Sequence, residues 1–327
     1  MTIPDNPHIQ GAFFKAIGYL DESKNIGISV SGGSDSDVVL DFVYQCGILY
    51  KCHVFIIDTG LEYQATWEHI DYLKDRYHID IERVRAKQSI PSCCKQYGIP
   101  FVSKNVSEHI RNLQLHGFEW EDRPLEELIK DYSGCKFNLK WWTNQNKLRM
   151  MNISYNRWLK DFLIDNPPRF NISPMCCKKS KKDTAKEYYK KENLDIVILG
   201  LRQAEGGVRS AGFNSCYKTG VPDNYRPIWW FTNTDKEEYN RHYNICNSRC
   251  YTEYGMKRTG CAGCPFDLQL DATMSIMENH EPKLYRAVSK VFGKSHEYTR
   301  QFHEYRDGKY IEDKRARMKT QPLDMWA

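Results

Sequence analysis

The stretch from Ile28 to Leu40, "ISVSGGSDSDVVL", limits the possible folds more than any other part of the chain. Residues suited to a strand run into two glycines, then alternating serines and aspartates, then an apolar run with helical spacing. Glycine permits positive φ and close approach of the backbone to a ligand. The free N–H groups at the start of a helix bind anions. The stretch therefore predicts a strand, a loop suited to phosphate and a helix.

The side chains of this loop support the same interpretation, with one exception. Ser31, Ser34 and Ser36 add hydroxyl donors, whereas the carboxylate of Asp35 would repel a phosphate. Asp35 is explained either as the N-cap of the helix or as a ligand of Mg²⁺. The alternative for the whole stretch is an ordinary strand–helix turn with a polar cap.

Residues 24–86 alternate strands with helices, which is typical of a parallel sheet covered by helices. The predicted strands there are 24–31, 52–60 and 80–86, and the predicted helices are 37–47 and 65–77. A further buried strand is predicted at 195–202. Binding sites in such sheets lie at the carboxyl ends of the strands. The loop after the first strand and the "DTG" turn after the second therefore belong to one candidate cleft.

Residues 117–172 interrupt this alternation with four tryptophans and several asparagines and prolines. We expect an inserted aromatic-rich subdomain there. The nucleotide-binding α/β domain would then comprise residues 1–116 and 173–245. Residues 246–327 would form a cysteine-rich segment and a helical C-terminal region.

Composition restricts the class of protein. The formal net charge is +5, which suits an anionic ligand but is too small to argue for nucleic acid. The first residues lack a basic start followed by an apolar core, and no apolar run reaches the length of about 18 residues that a membrane span needs. We expect a cytoplasmic protein without a membrane partner, in which the twelve cysteines stay mostly reduced.

The loop "SGGSDS" (31–36) resembles the PP-loop, SGGxDS, of the ATP-pyrophosphatase and PAPS-reductase superfamily, except that Ser34 stands where the family often has lysine. Three later stretches resemble PAPS-reductase segments in the same order: 55–73, 198–210 and 226–245. The resemblance implies a Rossmann-like, adenine nucleotide alpha hydrolase-like fold, with a parallel sheet, flanking helices and a helical, cysteine-rich C-terminal part.

The same resemblance implies a nucleotide site. Its residues would be Ser31, Gly32, Gly33, Ser34, Asp35, Ser36, Asp58, Thr59, Gly60, Arg202 and Arg209. The loop would hold phosphates with Mg²⁺, the "DTG" turn would line the adenosine side, and the two arginines would contact phosphate or sulfate. These residues also have structural explanations that need no ligand. Asp58 is a common residue type in turns, and the two arginines could form ion pairs with surface acids.

The cysteines form a second pattern. Cys176–Cys177 and Cys261-x-x-Cys264 resemble the CC…CxxC pattern that binds a [4Fe–4S] cluster in APS reductases, and four thiolates are what such a cluster requires. Zn²⁺ also takes four thiolates. A second possible set of ligands lies closer together in the sequence and adds Cys246 and Cys250 to the CxxC pair, with Cys216 as an outside candidate. The third possibility is that the thiols bind no metal.

The resemblance allows several functions. True sulfonucleotide reductases attack the substrate with a cysteine near the C-terminus, and no cysteine follows Cys264 here. We therefore expect ATP pyrophosphatase-type adenylation in support of sulfur transfer, as in relatives that modify tRNA or DNA, with an unidentified sulfur donor. The alternatives are an APS or PAPS reductase that uses Cys216 or Cys250, and a regulator that senses nucleotide or redox state without catalysis.

A nucleic-acid surface has two interpretations. Residues 178–191 hold seven lysines against two acids, and 313–319 is a second basic run. Together with tryptophans these runs would make a basic, aromatic groove. The preferred alternative is a solvated helix face with tryptophans in the core. The tryptophans concerned are Trp141, Trp142, Trp229 and Trp230.

Overall fold

The computed structural model describes residues 2–20, 24–206 and 214–320, with side chains as far as residue 314. The chain divides into two compact units. The first takes in residues up to 90, 177–262 and 272–285, and the second takes in 91–176, 263–271 and the chain from 286 onward. The predicted insertion, 117–172, lies within the second unit. The domain division drawn from the sequence stays a prediction.

A six-stranded sheet forms the centre of the first unit. Its strands are β1 (Ile26–Val30), β2 (His53–Asp58), β3 (Glu82–Arg85), β4 (Ile196–Leu199), β5 (Tyr217–Lys218) and β6 (Asp223–Tyr225). Their order is β3-β2-β1-β4-β6-β5, and only β5 runs antiparallel to its neighbour. The α/β fold with a mostly parallel sheet, expected from the sequence, is confirmed.

Strand β1 lies between β2 and β4. Ile28 of β1 is in register with Val54 on one side and Ile198 on the other. The chain proceeds from β1 to β2 and β3 in one direction and places β4 on the opposite side of β1. A sheet whose strand order reverses in this way opens a crevice at the carboxyl ends of its central strands, where such folds bind ligands.

Helices surround the sheet and form most of the second unit. They are α1 (Pro7–Tyr19), α2 (Ser34–Gln45), α3 (Gln64–Tyr77), α4 (Ile90–Tyr97), α5 (Lys104–Leu115), α6 (Leu125–Asp131), α7 (Lys136–Trp142), α8 (Leu159–Asp165), α9 (Thr184–Lys191), α10 (Asn233–His242), α11 (Arg249–Thr252), α12 (Leu270–His280) and α13 (Pro282–Thr320). A π-helical segment, Cys177–Asp183, precedes α9. The predicted strands and helices all occur, but α2 begins at Ser34, before the predicted residue 37.

Each unit has its own apolar core. In the first unit, β1 and α2 contribute the fully buried Ile28, Val38 and Phe42. The second unit is built around aromatic side chains, among them Trp141, Trp142 and Phe162. Burying one large apolar side chain contributes about 1.5–3 kcal/mol, so a core in each unit supports its elements separately.

No helix within residues 2–20, 24–206 and 214–320 combines the length and apolar character that crossing a bilayer requires.

Candidate functional site

The loop Ser31–Ser36 joins the carboxyl end of β1 to the start of α2 in the first unit. Gly32 has a φ of +64°, in the left-handed region that favours glycine. A Cβ atom on Gly32 would lie 2.7 Å from the Cγ2 atom of Thr66, which is closer than van der Waals contact allows. Both the backbone conformation and the space around it therefore favour glycine at position 32.

The residue at the N-terminal cap of α2 has no side chain that could accept from the N–H groups of the first turn. The cap residue is Gly33, in extended conformation with φ −94° and ψ 148°. The Ser36 hydroxyl donates to the carbonyl of Gly33 at 2.7 Å and accepts from the N–H of Ser31 at 3.2 Å, so it holds the loop together. The N–H of Ser34 meets the Tyr251 hydroxyl at 3.3 Å. Asp35 does not cap the helix, since that position belongs to Gly33.

Strand β4 ends against the same loop. A Cβ atom on Gly200 would lie 2.8 Å from the carbonyl oxygen of Asp35 and 2.9 Å from the N atom of Ser36. Both are backbone atoms, which cannot rotate away from a new side chain as the end of a flexible side chain could. Gly200 is thus the residue that lets the segment after β4 approach the start of α2.

Asp35 makes ion pairs with two cations from distant parts of the chain. Its Oδ1 atom lies 2.8 Å from Nε of Arg202 and 2.6 Å from Nζ of Lys236. Burial acts to raise the pKa of Asp35, but Lys236 and then Arg202 outweigh it, so that the pKa is lowered. The carboxylate therefore stays ionised at neutral pH and holds both cations at the loop.

Arg202, which the sequence predicts for the site, is buried and oriented by further contacts. Its Nη1 atom donates to Asn233 Oδ1 at 3.1 Å and to the carbonyl of Phe231 at 3.4 Å. The guanidinium thus lies beside Asp35 in a fixed orientation. Arg209, the second predicted arginine, lies outside the described residues.

Lys236 is the site residue that the sequence analysis missed. The start of α10 positions it through a capping box, in which Thr232 Oγ1 accepts from the N–H of Asp235 and Asp235 Oδ2 accepts from the N–H of Thr232. The only signal was the position of Lys236 next to Asp235 in a segment already matched to the PAPS-reductase pattern.

The "DTG" turn follows β2, next to β1 in the sheet. The Asp58 carboxylate pairs with Arg83 at 2.8 Å and accepts from the N–H of Gly60 at 2.9 Å. Glu62, a second residue that the sequence analysis missed, accepts from the N–H and hydroxyl of Thr59 at 3.0 and 2.5 Å. Burial raises the pKa of Glu62, against the hydrogen bonds from Thr59. These contacts match the interpretation of Asp58 as a turn residue.

Two cysteines of the CC…CxxC pattern interact with one lysine. Within the first unit, Lys181 interacts with the thiols of Cys261 and Cys177 and with Glu62. Desolvation acts to lower the pKa of Lys181, but these groups, Cys261 above all, raise it. Cys176 and Cys264 belong to the second unit. Over the part of the chain that the structure describes, no three Cys, His, Asp or Glu side chains form a group able to hold a metal ion.

The alternative cysteines lie in different surroundings. Cys250 is fully buried, and burial raises its pKa above the ordinary value of a thiol. Cys216 is buried in the core of the first unit, whereas Cys246 is exposed. A raised pKa disfavours the free thiolate that nucleophilic attack requires, which counts against Cys250 as a nucleophile.

Three of the four tryptophans considered for a nucleic-acid surface are not available to stack on bases. Trp141, Trp142 and Trp229 are fully buried, and of the four named above only Trp230, 43 % exposed, reaches solvent. This agrees with the preferred interpretation of these tryptophans as core residues.

Residues 25–111 match the family model of the phosphoadenosine phosphosulfate reductase domain. The match takes in β1 to β3 with the loop Ser31–Ser36 and the turn Asp58–Gly60. It confirms, for this part of the chain, the resemblance on which the expected nucleotide site rests. No significant match was found among curated proteins.

Three solved structures are similar to this chain. A PAPS reductase from Candida auris in complex with phosphate is 14% identical, with a TM-score of 0.41 over 77% of this chain and 87% of that chain. An NH3-dependent NAD synthetase from Campylobacter jejuni is 12% identical, with a TM-score of 0.34 over 88% and 93%. A U34-tRNA thiolase from Methanococcus maripaludis with its [4Fe–4S] cluster is 13% identical, with a TM-score of 0.38 over 88% and 79%. Sequence identities and TM-scores as low as these give no information about the substrate of this chain.

Proposed function

We propose that this chain binds an adenine nucleotide through the loop Ser31–Ser36 and acts as an ATP pyrophosphatase-type adenylating enzyme in sulfur transfer. One observation carries the nucleotide part of the proposal. A loop with a glycine at positive φ and a helix start whose cap residue is also glycine lies against two largely buried cations, Arg202 and Lys236, at the carboxyl edge of a parallel sheet. Backbone N–H groups at a helix start and positive charge at one point are what a phosphate group needs.

The proposed chemistry is chiefly positioning and neutralisation of charge. The loop would hold the β- and γ-phosphates of ATP with Mg²⁺. A substrate oxygen would attack the α-phosphorus, the bond from that phosphorus to the bridging oxygen would break, and pyrophosphate would leave with the electron pair. Arg202 would stabilise the departing anion. A sulfur nucleophile would then displace AMP from the activated substrate.

A [4Fe–4S] cluster on Cys176, Cys177, Cys261 and Cys264 belongs to the proposal as well. The four thiols suit it chemically, and the positive charge of Lys181, which is hydrogen-bonded to Cys261 and acts electrostatically on Cys177, would offset part of the thiolate charge. Zn²⁺ is the alternative metal. Such a cluster would supply a place for an additional sulfide, and no step above depends on it.

Calorimetry on protein purified without oxygen tests the proposal. The titrants are ATP–Mg²⁺, APS and PAPS, and pyrophosphate release from ATP is measured in parallel. We expect binding of ATP–Mg²⁺, and we expect Gly32→Ala to weaken it at least 10-fold because a Cβ atom there meets Thr66. Gly11→Ala is the control, since nothing lies within 4 Å of a Cβ atom at position 11.

The other outcomes separate the rival functions. A preference for APS or PAPS, with release of sulfite in the presence of thioredoxin, would support a sulfonucleotide reductase. Binding of nucleotide without turnover, unaffected by Asp35→Ala, would support a regulator. A protein that binds none of the three nucleotides would overturn the proposal.

A further inference from the structure

Lys236 contacts the phosphate-binding loop through two of its residues. Its ammonium group donates to the Ser34 hydroxyl at 2.5 Å and lies 2.6 Å from Asp35 Oδ1. The side chain is only 14% exposed. A lysine pays entropy and desolvation to be held in this way, so the contact is a specific one.

Positive charge exceeds the nearest negative charge at this point. Two cations, Lys236 and Arg202, share the single carboxylate of Asp35. The other carboxylate in the first turn of α2, Asp37, also feels the charge of Lys236, but it is fully buried and its Oδ2 atom lies 2.9 Å from Nε2 of His69. The start of α2 adds the partial positive charge of its N–H groups. An anion at the loop would therefore meet one ammonium group beyond what Asp35 neutralises.

The contact also bears on position 34. A lysine there would project from the same turn of α2 as the Ser34 hydroxyl, which the ammonium of Lys236 already touches. The two positions are 202 residues apart in the sequence, and the fold brings them together. Serine at position 34 carries no charge, but the ammonium group of Lys236 places a positive charge beside its hydroxyl.

We propose that Lys236 is the phosphate-contacting cation of this loop and supplies from α10 the charge that a lysine at position 34 would supply from α2. Asp35 holds the ammonium group beside the loop before the ligand arrives, and the phosphate then shares it. This inference rests on the proposed binding of an adenine nucleotide at the loop and adds a named residue to it.

The test is calorimetric binding of ATP–Mg²⁺ and of inorganic pyrophosphate with Mg²⁺. We expect Lys236→Met to weaken both by about 10- to 100-fold, the loss that follows removal of one charged hydrogen bond. Lys236→Arg keeps the charge and should bind within about 5-fold of the wild type. Lys74→Met is the matched control, because Lys74 lies near the end of α3 and pairs with Asp80 instead. It should bind as the wild type does.

A double variant keeps the proposal testable if loss of Lys236 disturbs folding. Ser34→Lys with Lys236→Met returns a lysine to the loop and should restore most of the affinity. Wild-type affinity in Lys236→Met, or no recovery in a folded double variant, would overturn this inference while nucleotide binding stood. Failure of the wild type to bind either ligand would instead overturn the proposed function.

Discussion

At the scale of single residues, Asp35 is the most informative side chain. A carboxylate beside phosphates looks unfavourable in the sequence, which suggested a helix cap or a magnesium ligand. In the fold it is the common partner of Arg202 and Lys236. A carboxylate that assembles two cations at a loop contributes to an anion site indirectly, because it fixes where the positive charge lies.

Asp35→Asn should lower the free energy of unfolding by about 1–3 kcal/mol at pH 7, because the two cations lose their charged partner. The folded-state pKa of Asp35 is lowered, so its stabilisation is present above the ordinary carboxyl pKa and is lost as the pH falls through the folded value. The difference between variant and wild type should therefore shrink below about pH 4.

Urea unfolding at pH 7 and at acid pH checks this expectation. The control is Asp80→Asn, which removes a carboxylate that is 86% exposed and should change stability little. An equal difference between Asp35→Asn and wild type at both pH values would contradict the role given to Asp35.

At the scale of elements, the site depends on how closely the segment after β4 approaches the start of α2. Gly200 allows that approach, since its ideal Cβ position is 2.8 Å from the carbonyl oxygen of Asp35. The same approach brings Arg202, two residues later, to the carboxylate of Asp35. The strand order places β4 beside β1. Gly200 then lets the segment that follows β4 contact the loop that follows β1.

Gly200→Ala should therefore weaken ATP–Mg²⁺ binding by at least 10-fold and lower stability by about 1–3 kcal/mol, because overpacking forces the backbone to move. Calorimetry and thermal unfolding measure the two effects. Gly11→Ala, within α1 where an added Cβ atom meets open space, should leave binding unchanged and should stabilise its helix slightly. A Gly200→Ala protein with wild-type affinity would show that the close approach is not needed.

At the scale of the whole molecule, the chain combines an α/β unit built on a mostly parallel sheet with a second unit that has an aromatic core. The described part of the candidate phosphate site lies in the first unit alone. The proposed metal ligands come from residues assigned to both units, so the metal proposal is tested on the full chain.

Protein purified without oxygen should contain about four irons per chain and acid-labile sulfide, as the proposed cluster requires. Elemental analysis and the visible spectrum measure this. Cys261→Ser should lose most of the iron. Cys52→Ser should keep it, because burial raises the pKa of the Cys52 thiol to about 12 and its Sγ atom donates to the carbonyl of Ile48. One zinc in place of iron would support the zinc alternative, and a chain without metal would contradict both.

The sequence by itself determined the alternation of strands and helices, the loop Ser31–Ser36 and the parallel character of the sheet. These are local properties, because apolar periodicity and glycine placement act within a few residues. The start of α2 was placed three residues late because Ser34–Ser36 are polar and lack the apolar periodicity, although their N–H groups already belong to the helix.

Only the tertiary structure decided which side chains surround the loop Ser31–Ser36. Lys236 lies 202 residues from Ser34, and Arg202 lies 167 residues from Asp35. Pairing across such separations depends on strand order and close packing, and these follow from the burial of the whole core.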